Sequence, residues 1–135
     1  MERRIGIIMN GITGRMGLNQ HLIRSVLAIR DDGGLLLSDG NKLMPDPILV
    51  GRNKQKLEEI ASRFSVDRYT TDLDNALENT DDSVFFDSAT TKMRVEILKK
   101  AISAGKHIYC EKPVADDLQG ALEIAKYASQ KGVKN

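Results

Sequence analysis

Ile5-Gly6-Ile7-Ile8-Met9-Asn10-Gly11-Ile12-Thr13-Gly14-Arg15-Met16-Gly17 is the stretch that decides the fold. A short apolar run breaks into glycines at 11, 14 and 17, and a helical pattern follows at once. The run reads as a buried parallel strand. A strand that turns tightly through glycine into a helix gathers free backbone N–H groups at one point. The positive end of the helix dipole converges there too, which makes an anion site. At the start of an α/β chain, such a site suits the pyrophosphate of a dinucleotide.

Outward from this loop, strand-like and helix-like segments alternate. Strands are expected at Arg4–Met9, Ile48–Val50, Asp67–Thr70, Val84–Phe86 and His107–Cys110. Helices are expected at Arg15–Arg30, Lys54–Phe64, Leu73–Glu78, Lys92–Ala104 and Asp117–Lys131. In the first helix, Leu22, Val26 and Ile29 form one stripe. In the last, Leu118, Ala121, Leu122, Ala125 and Ala128 line one face. The alternation predicts an α/β fold, a doubly wound parallel sheet in three layers with helices on both faces. Residues 31–46 exceed the few residues such a connection needs. Their Leu35-Leu36-Leu37 and Lys42-Leu43-Met44 runs flank an Asp39-Gly40 turn, which predicts a β-hairpin insertion.

Composition limits the functional classes. The chain has 135 residues, enough for one domain spanning 1–135. With 20 basic and 19 acidic residues the net charge is +1, so no global field recruits nucleic acid or an anionic membrane. Aromatic content of 4% without tryptophan argues against a base-stacking surface. No apolar run approaches the ~20 residues needed to span a bilayer. Cys110 is the one cysteine, so no internal disulfide forms, which fits a reducing, cytoplasmic setting. No cluster of Cys, His and carboxylates predicts a metal site.

The glycine spacing is Gly-x-x-Gly-x-x-Gly. Gly14 and Gly17 match the second and third glycines of the dinucleotide fingerprint, while the first is displaced to Gly11 and Ile12 takes its usual place. Gly14 would admit the pyrophosphate, and Gly17 would let the helix pack on the first strand. Thr13 and Arg15 add a hydroxyl and a cation, and Met16 opens the helix. No Gly-Lys-Ser/Thr follows, so this is not a P-loop.

The second strand ends Leu49-Val50-Gly51-Arg52-Asn53, without the carboxylate that usually holds an adenosine ribose diol. An absent carboxylate together with Arg52 favours a 2′-phosphate, hence NADP ahead of NAD. Asp39 lies nearer the usual sequence distance but reads as the hairpin turn.

Ala104-Gly105-Lys106-His107 followed by Glu111-Lys112-Pro113 resembles the nucleotide-binding half of the Gfo/Idh/MocA oxidoreductases. The resemblance covers nearly the whole chain outside the insertion. It implies a Rossmann-type domain that binds a nicotinamide dinucleotide, with Lys112 beside the nicotinamide holding a substrate oxygen. It implies that Glu111 helps hold the cofactor and orients the lysine, and it makes Lys112–Pro113 a candidate cis bond. Where the family commonly has Thr-Pro-Asn and then His, this chain has Ser88-Ala89-Thr90-Thr91-Lys92-Met93-Arg94, with Arg94 about where that His falls. Backbone contacts of Ala89 and Thr90 to the cofactor are expected. Gly14-Arg15-Met16-Gly17 also resembles dihydrodipicolinate reductase, whose histidine- and lysine-rich catalytic segment is missing here.

The family carries a second domain that supplies much of the substrate pocket. This chain reaches Asn135 where another strand is due, so it is expected to be the cofactor domain of a longer enzyme, a hydride-transfer catalyst acting on a small polyol- or sugar-like substrate. The alternative is a free-standing NAD(P)-binding or sensing module. A sheet edge left open would allow a homo-oligomer. His21, His107 and Cys110 read as structural.

Overall fold

A computed structural model describes residues 1–135. Five parallel strands alternate with helices. The strands are β1 (Glu2–Asn10), β3 (Lys42–Val50), β4 (Tyr69–Thr70), β5 (Asp82–Asp87) and β6 (His107–Cys110). A short β2 (Leu35–Leu36) runs antiparallel on β3. The helices are α1, which spans Met16–Leu27 and continues through Ala28–Asp31, α2 (Lys54–Arg63), α3 (Leu73–Glu78), α4 (Arg94–Ser103) and α5 (Leu118–Lys131). A tight turn at Thr91–Met93 leads into α4.

The sheet order is β2-β3-β1-β5-β6, with β4 also pairing β3. The chain leaves β1 for β3 and β4 on one side, then returns to β5 and β6 on the other. That reversal opens a crevice at the C-terminal ends of β1 and β5, where ligands of doubly wound sheets bind. Alternating side chains separate two cores. Ile8, Val50, Phe85 and Ile108 face α3, α4 and α5, against Leu77, Leu98, Ile102 and Ile124. Met9, Leu49 and Phe86 face α1 and α2, against Leu22, Leu27 and Leu57. The three-layer α/β expectation therefore holds.

Three local readings are corrected. The hairpin is present at the Asp39-Gly40 turn, where Asn41 N–H donates to Asp39 Oδ1 at 2.9 Å. Its returning arm, however, is the start of β3 itself, which pairs with β1 from Glu2↔Lys42 to Asn10↔Val50. Pro45 and Pro47 do not break this strand. Leu49 and Gly51 direct their N–H groups to Arg68 and Thr70, away from β1. The prolines share that parity, so the bonds they cannot donate lie on an edge with no partner there.

In α1, Met16–Leu27 winds as a π-helix, with the wider i→i+5 pattern. The buried positions are Gly17, Leu22 and Leu27, five apart, rather than the stripe expected at α-helical spacing. In α5 the buried face is Gly120, Ile124 and Ala128, while Leu118 and Leu122 are 74% and 60% exposed. The small residues win because α4 packs close. A Cβ on Gly120 would lie 3.1 Å from Val95 Cγ2.

The N-terminal end of the sheet, remote from the crevice, is tied by charges. Buried Asp82 receives Arg68 at 2.9 and 2.5 Å and Arg4 at 2.9 Å. Lys106, buried, donates to the carbonyls of Asn79 and Asp82, and burial pushes its ammonium below the ordinary range. No helix is long and apolar enough to cross a membrane.

Candidate cofactor cleft

A cleft of about 730 Å³ occupies the crevice at the C-terminal ends of the strands. Gly11, Thr13 and Gly14 line it from the glycine loop, Gly51 and Arg52 from the end of β3, and Ala89 and Thr90 from the end of β5. Seven positions singled out in the sequence thus meet in one cavity. Asn10, Val50, Thr71–Asp74, Ser88, Met93, Ile97 and Lys100 complete it and were missed, because nothing in their local pattern marks a site.

The three glycines of the loop answer to different requirements. Gly11 has φ +77°, and a Cβ there would sit 2.4 Å from Ala89 N. A Cβ on Gly17 would sit 2.4 Å from Ser88 Oγ and 2.9 Å from Gly11 O. Both are required by the protein itself. Gly14 is not. A Cβ there would meet only Gly11 O, at 3.4 Å. The space it leaves opens into the cleft.

The loop is fixed by bonds that leave donors over. Gly11 N–H donates to Val50 O at 3.1 Å, and Gly14 N–H to Gly11 O at 3.1 Å. The N–H groups of Thr13 and Arg15 have no acceptor in the protein. Unpaired donors at a helix N-terminus beside an open glycine suit an anion. Arg52, exposed at the mouth, takes part in none of the protein's ion pairs. No carboxylate follows β3 before α2. These features fit the phosphate chain of a dinucleotide.

Other predicted positions are placed differently. Ile12 is fully buried in the core beside α1. Arg15 and Met16 are exposed on the first turn of α1. Asn53 caps α2, its Oδ1 accepting from Lys56 N–H at 3.0 Å. Glu111 and Lys112 do not line the cleft. They follow β6, one strand beyond β5, on the same edge of the sheet. The Lys112–Pro113 peptide is cis.

Two residues bind this edge together. His21 of α1 pairs with the Glu111 carboxylate and stacks on Phe86, ring centroids 4.5 Å apart. The His21 hydrogen bond holds the Glu111 carboxyl below the ordinary range, against the opposing effect of burial. Arg94 and Asp87 form a buried pair, Nε to Oδ2 at 2.8 Å. Asp87 Oδ1 accepts from Asn10 Nδ2 at 2.9 Å. His21 was read as structural, but neither its partner nor the Arg94–Asp87 pair was foreseen. The apolar neighbours Phe86 and Phe85 hide Asp87 in the sequence, and His21 lies ninety residues from its partner. Cys110, half-buried beside them, has its thiol pushed up by burial.

Comparisons with known proteins agree with this architecture. The family model described as oxidoreductase family, NAD-binding Rossmann fold, named for Gfo/Idh/MocA, matches residues 7–135. A D-xylose dehydrogenase of Paenarthrobacter nicotinovorans is 49% identical over 129 residues, 96% of this chain and 33% of that protein. An NAD binding oxidoreductase from Klebsiella pneumoniae superposes with a TM-score of 0.77 at 26% identity, over 97% of this chain and 33% of its own. Levoglucosan dehydrogenase, solved with NADH and levoglucosan, shares the fold at a TM-score of 0.79 and 23% identity, covering 97% of this chain and 34% of its own. The chain spans about a third of the length of these relatives.

Proposed function

This chain belongs to the Gfo/Idh/MocA oxidoreductase family, and from that premise we propose that it binds NADP(H) and serves hydride transfer to or from a sugar. The observation that carries the proposal is the cradle at 11–17. Gly14 is required by neither its neighbours nor a left-handed backbone, and it sits beside two unpaired N–H groups. In this reading Thr13 and Arg15 hold the pyrophosphate through their backbone. Met16 and Gly17 start the helix that aims its dipole at it. Gly51 and Asn53 frame the ribose, and the Arg52 fork takes the 2′-phosphate. Ala89 and Thr90 form the wall along the nicotinamide half.

When bound, the nicotinamide supplies the hydride acceptor or donor. Lys112 Nζ hydrogen-bonds the reacting hydroxyl or carbonyl oxygen and shares its proton, and the Glu111 carboxylate, held by His21, keeps a negative charge beside it. D-xylose and related aldoses are the first substrates to assay, given the dehydrogenase relative. A module that binds NAD(P) without catalysis remains the second reading. It is favoured only by the position of Lys112 outside the main cleft.

Fluorescence titration tests the cofactor assignment. NADPH is expected to bind more tightly than NADH. Arg52→Ala is expected to weaken NADPH by about 10- to 100-fold, the worth of a charge-assisted phosphate contact, and to leave NADH within about 2-fold. Equal loss for both dinucleotides, or no loss for either, removes Arg52 from the 2′-position.

A further inference from the structure

The geometry points to Arg94 as a positioning residue for Lys112, an inference that rests on the hydride-transfer reading above. One guanidinium joins two loops that follow neighbouring strands. Its Nη2 donates to Ala89 O at 2.6 Å, on the cofactor wall. Its Nη1 donates to Glu111 O at 2.7 Å and to Pro113 O at 2.5 Å, the carbonyls on either side of Lys112. Its Nε holds Asp87 Oδ2 at 2.8 Å. The Arg94 side chain is 2% exposed and that of Asp87 fully buried, so neither is a surface pair of the kind water would screen.

Backbone bonds do not make this connection. Glu111 N–H reaches back to Asp87 O at 2.9 Å, but no backbone hydrogen bond joins 88–91 to 111–113 directly. Asp87 extends the clamp the other way, its Oδ1 accepting from Asn10 Nδ2 at 2.9 Å and Ala89 N–H at 3.3 Å. Arg94 therefore links the last residue of β1, the cofactor wall and the Lys112 loop through one rigid group. A lysine could keep the charge opposite Asp87. Its three N–H donors on a single nitrogen could not also serve the three carbonyls, four acceptors in all, that the guanidinium reaches from three separate nitrogens. Fixing the carbonyls that flank Lys112 fixes where its side chain starts. A displacement of about 1 Å there costs on the order of 100-fold in rate.

The test uses Arg94→Lys and Arg94→His in the protein as its gene encodes it. Histidine is the residue the family resemblance leads one to expect at this position. Hydrogen exchange without cofactor, NADPH titration and steady-state turnover are measured for each. Exchange is expected to rise at least about 10-fold in segments 88–91 and 108–116 and to stay at wild-type levels in 48–50 and 84–86. The kcat is expected to fall about 10- to 100-fold while KM for NADPH stays within about 3-fold. Wild-type exchange and kcat in a folded variant overturn the assignment. So does a uniform rise across the chain, or loss of the fold in both variants, since Arg94 would then serve stability alone. A wild-type protein that neither binds NADPH nor turns over a sugar overturns the cofactor reading itself. Normal wild-type turnover beside unaltered variants overturns only the role of Arg94.

Discussion

Gly14→Asp is expected to lower NADPH affinity at least about 100-fold while leaving the fold intact. The two halves of this prediction have separate causes. A side chain fits at position 14, because a Cβ would meet only Gly11 O at 3.4 Å and the backbone is not left-handed. The thermal midpoint should therefore stay close to wild type, as for surface substitutions generally. The carboxylate, however, would stand where the pyrophosphate is proposed to lie. Like charges about 4 Å apart in a partly desolvated site repel by roughly 4 kcal/mol, which exceeds the ~3 kcal/mol needed for a 100-fold loss. Gly14→Ala, without the charge, should lose less than Gly14→Asp. Isothermal titration and a melting curve on the same samples check both halves. Retained affinity in Gly14→Asp would remove the loop from the binding site.

Lys112→Met should act on the other step. The side chain is exposed and makes no hydrogen bond or ion pair within the protein, so its loss should cost little stability. NADPH affinity should remain within about 3-fold. The kcat should fall about 10²- to 10⁴-fold, the usual contribution of a group that transfers a proton in the transition state. Methionine keeps the length and apolar stem of lysine and removes only the amine. Steady-state kinetics with the sugar substrate and a separate NADPH titration give this split. A kcat unchanged by the substitution would leave the domain as a dinucleotide-binding module. An equal loss in binding would make Lys112 a cofactor ligand and no more.

The parts of the fold that were legible in the sequence are those set by local chemistry. The β1–glycine loop–α1 unit was readable because an apolar run, a glycine turn and a helix lie adjacent in the chain. Leu73–Glu78 and His107–Cys110 were readable to the residue, bounded by an aspartate cap before α3 and by Gly105-Lys106 before β6. What failed depended on partners elsewhere. The length of β3 follows from its pairing with β1, which makes an edge where prolines do no harm. The buried face of α5 is decided by how closely α4 approaches, and this selects Gly120 over Leu118 and Leu122. The π-winding of α1 shifts its buried face to a five-residue spacing that an α-helical wheel cannot detect.

The site divides in the same way. Gly11, Thr13, Gly14, Gly51 and Arg52 could be chosen from motif spacing, and they share one cavity. His21, Asp87 and Arg94 could not be chosen so. Each works through a partner distant in the chain or on a separate element. Arg94 did stand out as a departure from the family's usual histidine. Its acceptors on two loops come together only in the folded chain.

The cleft at the C-terminal ends of β1, β3 and β5 is proposed to hold a nicotinamide dinucleotide. Titrating NADPH into ¹⁵N-labelled protein tests it most directly. Amide shifts are expected at Thr13, Gly14 and Arg15, at Gly51 and Arg52, at Ala89 and Thr90, and at Glu111 and Lys112. Shifts confined to another surface, such as the exposed Leu118–Leu122 face of α5, or no shifts at saturating NADPH and NADH, would contradict it.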